Sequence, residues 1–104
     1  MTYRKTYTIR PTMTPKRRAW LTELKGVFYM PLDRCYGRRR ITHDCLCLGW
    51  TEWAWQAKAS HKIINHEEAM RLYGDRRGGL YSHVDLVGIR ITTFGRQALR
   101  ENPA

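Results

Sequence analysis

The run Arg38-Arg39-Arg40-Ile41-Thr42-His43-Asp44-Cys45-Leu46-Cys47-Leu48-Gly49-Trp50-Thr51-Glu52-Trp53 changes its hydrophobic period once, at Gly49. Before the glycine the pattern is helical. At about 100° per residue, Ile41, Cys45 and Leu48 gather on one side and form the face expected to be buried. Arg39, His43 and Leu46 point the opposite way, with Arg40, Thr42 and Cys47 on the flanks. Gly49 then serves as the C-terminal cap. Beyond it Thr51, Trp53 and Trp55 alternate with Trp50, Glu52 and Ala54, as a strand does.

Upstream, Gly37 supplies a turn, and Met30 to Tyr36 reads as a short helix beginning at Pro31. Thr14 followed by Pro15 is an N-cap and first-turn pair, so a first helix runs from Pro15 to Lys25 and stops at Gly26. Trp20, Leu21, Leu24 and Phe28 are its apolar stripe. Lys16, Arg17 and Arg18 occupy its first turn, where the helix dipole disfavours cations. That conflict points to an external anion as the reason for the cluster. At the start of the chain, Tyr3, Lys5, Tyr7 and Ile9 alternate with polar residues up to Pro11, which predicts a strand or an extended arm.

Downstream, a polar stretch from Gln56 to Lys62 precedes Asn65, whose spacing to Glu68 resembles a capping box for a helix through Tyr73, closed by Gly74. Asp75 to Gly79 reads as a turn. Leu80 to Ile91 contains a second strand in which Gly88 marks a bulge that resets the alternation. Thr92 caps a last helix carrying Phe94, Ala98 and Leu99.

The 104 residues suffice for one domain and one core, and 42% hydrophobic content argues against disorder. The net charge of +10 is unevenly placed: residues 1 to 40 hold 11 Lys/Arg against Glu23 and Asp33, the remainder 8 against 7 acids. Clusters at Arg17–Arg18, Arg38–Arg40 and Arg76–Arg77 suit bidentate contacts with phosphate or with acidic protein surfaces. No apolar run is long enough to span a membrane, and Met1 to Arg10 lacks the apolar core of a secretory signal. A cytoplasmic protein, with Cys35, Cys45 and Cys47 as reduced thiols, is expected.

Cys35, His43, Cys45 and Cys47 are thiolate and imidazole ligands in one neighbourhood. Cys45 and Cys47 stand about 200° apart on a helix, however, so they do not grip one ion, and no CxxC pair exists. Cys45 reads as an ordinary core residue. His61 and His66 with Glu67 and Glu68 suggest a metal or acid/base cluster, but a capped helix start explains the glutamates more simply. No nucleophile, phosphate loop or paired carboxylate stands out, so neither enzyme nor cofactor chemistry is expected. Trp50, Trp53 and Trp55 suit base stacking, and still better a core or a dimer interface.

Three segments carry a resemblance to one family. Arg40 through Glu52 looks like a recognition helix running into a wing. Ile91-Thr92-Thr93-Phe94-Gly95-Arg96-Gln97-Ala98-Leu99 looks like the L-T-x-x-G-R-x-A-L strand-to-helix junction that closes many winged helix-turn-helix domains. Thr14 to Leu21 resembles the first helix of small helix-turn-helix proteins of phages and prophages. The resemblance implies an α+β fold over residues 1–104: a winged helix-turn-helix with an N-terminal strand or arm at 1–13, and a two-stranded wing carrying a helical insertion at 57–79. It implies a partner in double-stranded DNA, with Arg39 and His43 facing bases. Arg38, Arg40 and Thr42 would lie near the backbone, Arg17 and Arg18 would extend the phosphate footprint, and Arg4, Lys5, Arg10, Arg76 and Arg77 would be arm or wing contacts. The function implied is a phage or mobile-element regulator, possible as a homodimer. The alternative is a phage-encoded, anti-CRISPR-like inhibitor whose basic surface covers an acidic site on a host protein or nucleoprotein complex.

Overall fold

A computed structural model describes residues 9–103, and the arm residues Arg4 and Lys5 lie outside that range. The chain forms α1 (Pro15–Lys25), β1 (Met30–Pro31), α2 (Leu32–Cys35), a single 3₁₀ turn (Tyr36–Arg38) and α3 (Arg39–Cys47). It continues through β2 (Thr51–Ala57), β3 (Ile63–Asn65), α4 (His66–Tyr73), a second 3₁₀ turn (Leu80–Ser82), β4 (Val84–Ile91) and α5 (Thr93–Glu101). The fold is α+β, with one antiparallel sheet ordered β1-β4-β2-β3.

Capping chemistry starts three of the helices. Arg17 N donates to Thr14 Oγ1 at 3.1 Å, Glu68 N to Asn65 Oδ1 at 2.8 Å, and Gly95 N to Thr92 Oγ1 at 3.0 Å. Thr92 also donates its hydroxyl to Gly49 O at 2.7 Å, which ties the start of α5 to the end of α3. Gly49 takes a φ of +75°, the left-handed turn expected after a helix.

β2 and β4 pair along their whole lengths, from Thr51 opposite Ile91 to Ala57 opposite Val84. Ala54 faces Gly88 while Trp55 faces Leu86, so Val87 is the extra residue of a bulge adjoining the predicted glycine. The consequence is a shared apolar face. Without the extra residue, Asp85 and Val87 would follow Ile89 on that face; with it, Leu86 and Val84 do. Gly88 has a second role, because a Cβ there would lie 2.0 Å from Met30 O, and only glycine lets β1 pair so closely.

The shared face is covered at its two ends by different helices. Trp20, Leu21 and Leu24 of α1, Cys45 of α3, Trp50, Ile89, Ile91 and Ala98 of α5 form one core cluster. Trp55, Ala57, Val84, Ile64 and Ala69 of α4 form a second, and Trp53 packs against both. Trp50 and Trp55 are therefore core residues, as the commoner reading of tryptophans on such a strand expects.

Several expectations are corrected. Met30 and Pro31 form an edge strand, since Gly88 opens a place beside β4, and the second helix shrinks to Leu32–Cys35. Phe28 lies beyond α1 and is 72% exposed. Residues 63–65 pair with β2 as a third strand, where the sequence shows only Ile63 and Ile64 between a polar stretch and the helix cap Asn65. Leu46 is half-buried against the core, because the sheet covers a second side of α3.

Candidate nucleic-acid interface

α3 presents Arg39, Arg40, His43 and Cys47 on its exposed side. These four fall within about a third of a turn of the helix wheel and make one strip. Arg40 Nε lies 3.7 Å from Asp44 Oδ2, His43 Nδ1 lies 3.6 Å from Asp44 Oδ1, and His43 Nε2 lies 3.5 Å from Cys47 Sγ. Asp44 thus holds Arg40 and His43 from behind, with guanidinium and imidazole groups outward. Arg38, in the turn before α3, pairs with Glu23 and stacks its guanidinium 5.1 Å from the Trp20 ring centroid. Lys16, Arg38, Arg39 and Arg40 line a groove of about 520 Å³ between α1 and the start of α3, with Glu23 as the acid among its lining residues.

Two proposed contact residues prove to be inward. Thr42 is buried at 8% exposure and cannot reach a DNA backbone as placed, since α3 packs on that side against the sheet. Arg17 is turned under α3, its side chain 12% exposed, where Nη2 donates to Asp44 Oδ2 at 3.2 Å. Its Nη1 donates to Arg10 O at 2.5 Å and Thr12 O at 2.9 Å, and the guanidinium sits 5.9 Å from the Trp50 ring centroid. Arg18 Nη1 donates to Asn102 O near the end of α5. For Arg17, the reason for a cation at the start of α1 is internal. Asp44, 8% exposed and given no role by the sequence pattern, is the residue that sequence reasoning missed. Its partner Arg17 is 27 residues away, and only tertiary structure brings them together.

The other candidates are dispersed. Arg10 is exposed beside the start of α1, and its carbonyl accepts from Arg17. Arg76 and Arg77 stand beyond α4: Arg76 Nε donates to Leu72 O at 3.0 Å with its guanidinium 5.6 Å from the Tyr73 ring, and Arg77 O meets His83 Nε2 at 3.1 Å. His66 packs its ring against Trp55 at 5.7 Å, an aromatic contact that accounts for its place on α4.

Cys45 is fully buried, and that burial pushes its thiol up to about 11, with Asp44 adding to the shift and Arg17 opposing it. Burial likewise raises Cys35, against the pull of Arg38. Cys47 is exposed on the outer strip. Among the described residues no three His, Cys, Asp or Glu side chains converge as metal ligands, and no helix is long and apolar enough to cross a membrane. None of the family models, characterised proteins or solved structures compared with the chain matches it.

Proposed function

We propose that the protein is a winged-helix binder of double-stranded DNA, with α3 as the recognition helix, serving as a regulator or accessory factor of a phage or mobile element. The observation that carries this reading is the outer strip of α3. Arg39, Arg40 and His43 project from one helix face, the latter two against a buried carboxylate, on a chain of net charge +10. Such a strip offers bidentate donors to guanine edges and phosphates. Support also comes from topology. The order helix, strand, helix, helix, strand and final strand, with β1 and β2 flanking β4, is compatible with a winged helix in which β3 and α4 are an insertion at the wing. Arg39 and His43 are the base-facing candidates, while Arg38, Arg40 and Lys16 line the phosphate path beside them.

Anisotropy binding to a random-sequence duplex and to a pool of genomic fragments, at two salt concentrations, tests the reading. Submicromolar binding that falls steeply with salt and prefers some fragments is the expected result. Weak binding without preference removes the regulator role and favours inhibition of a host protein complex. The specific observation behind that second reading is the exposure of Phe28, Tyr36, Tyr81 and Phe94, large aromatics of the kind that anchor protein interfaces.

A further inference from the structure

A gap remains between α2, the turn after it and α3 on one side and β2 and β4 on the other. In it lies a groove of about 240 Å³, floored by Trp53 and Ile89 and walled by Leu32, Tyr36 and Leu46. The lining is apolar except at one rim, where Arg39 and His43 stand. Thr42 also contributes to the lining, and its Oγ1, shielded from solvent, has no hydrogen-bond partner. A buried hydroxyl without a partner is a cost that folds seldom leave in place.

We infer that this groove is a binding site for a small aromatic carboxylate, its ring on Trp53 between Tyr36 and Leu46 and its carboxylate on Arg39 at the rim. The size fits. A cavity of about 150 Å³ accepts a benzene ring, so one of 240 Å³ accepts one or two fused rings. The charge fits as well, because the guanidinium of Arg39 has no carboxylate partner among the described residues and its fork matches one. Aliphatic acids lack the flat surface that Trp53 and Tyr36 favour, and neutral rings lack the group that Arg39 holds. Arg39 and His43 also belong to the strip assigned to DNA. The occupied groove therefore draws Arg39 away from a duplex, a consequence that rests on the DNA reading, whereas the site itself does not.

The test is a ¹H–¹⁵N NMR titration of the full chain with 2-naphthoate, 2-naphthamide and acetate. Saturable shifts with 2-naphthoate, centred on residues 32–46, 53 and 89, are expected, with the amide and acetate weaker by about tenfold or more. Arg39→Gln, an exposed change that leaves the core intact, should weaken 2-naphthoate by a similar factor. Thr42→Val, which removes an unpartnered buried hydroxyl that the ligand does not touch, should preserve the fold and the affinity. No saturable shift up to about 5 mM, equal affinity for acid and amide, or an affinity unchanged in Arg39→Gln would overturn the inference. The titration contains no DNA, so its failure leaves the functional reading where it stands.

Discussion

Replacing Arg17 with Met separates a structural arginine from a phosphate-binding one. The side chain's stem is retained by Met, so the loss is confined to the guanidinium. Its two bonds to the carbonyls of Arg10 and Thr12 are exposed, and water can replace them at small cost. Its contact with Trp50 is worth about 0.5 to 1 kcal/mol. Most of the loss arises at Asp44, left 8% exposed without its closest cation. Breaking a buried pair costs about 3 to 5 kcal/mol, and the lower end applies because Arg40 and His43 remain within 3.7 and 3.6 Å. The expected loss is about 3.5 to 4 kcal/mol, which at a urea slope of about 1.5 kcal/mol/M moves the unfolding midpoint by about 2.5 M. Arg17→Met/Asp44→Leu, which removes both charges, should regain much of that loss. DNA binding by the folded single variant should keep its salt dependence, since no phosphate contact is removed. A midpoint within about 0.3 M of the parent, together with a shallower salt dependence, would refute the reasoning and return Arg17 to the DNA surface.

Glycine substitutions probe the packing. Gly95→Ala should destabilise by about 2 to 3 kcal/mol in chemical denaturation, because the added Cβ would lie 2.1 Å from Trp50 O and α5 must lift away. Gly37→Ala, with nothing within 4 Å of the new carbon, should be neutral or slightly stabilising. With a thiol reagent at neutral pH, one equivalent should react promptly, at Cys47, with Cys35 and Cys45 reacting only on unfolding; peptide mapping of the labelled site checks this. Stability should also fall in alkali. The folded Cys45 thiol ionises near 11 against 9.0 for the ordinary thiol, so the unfolded chain gains by losing its proton first. The contribution is intact below pH 9 and is lost between about 9 and 11, measurable as a falling denaturation midpoint.

Where local chemistry decides structure, the residues announce it. Thr14-Pro15, Asn65 with Glu68, and Thr92 each mark a helix start that the fold uses, and the change of period at Gly49 marks the passage from α3 to β2. Gly88 marks the bulge beside it. Long-range pairing is less legible. Met30 and Pro31 form a strand only because Gly88, in a segment far along the chain, admits them. The helix wheel places Leu46 and Thr42 outward or on a flank, yet a helix packed against both another helix and a sheet buries more than one stripe. The basic strip follows the same rule. Arg39, Arg40 and His43 lie where the helical period puts them, whereas Arg17 is withdrawn by a carboxylate that no local pattern links to it.

The central claim is tested most directly by the salt dependence of duplex binding for the parent and for Arg39→Ala/Arg40→Ala. If α3 is the recognition helix, each single change weakens binding by about 1 to 3 kcal/mol, and the double variant lowers the slope of log affinity against log salt by up to about two. Its unfolding midpoint stays close to the parent's, because both side chains are exposed. Duplex affinity and salt slope unchanged in the double variant would contradict the assignment of α3 to DNA.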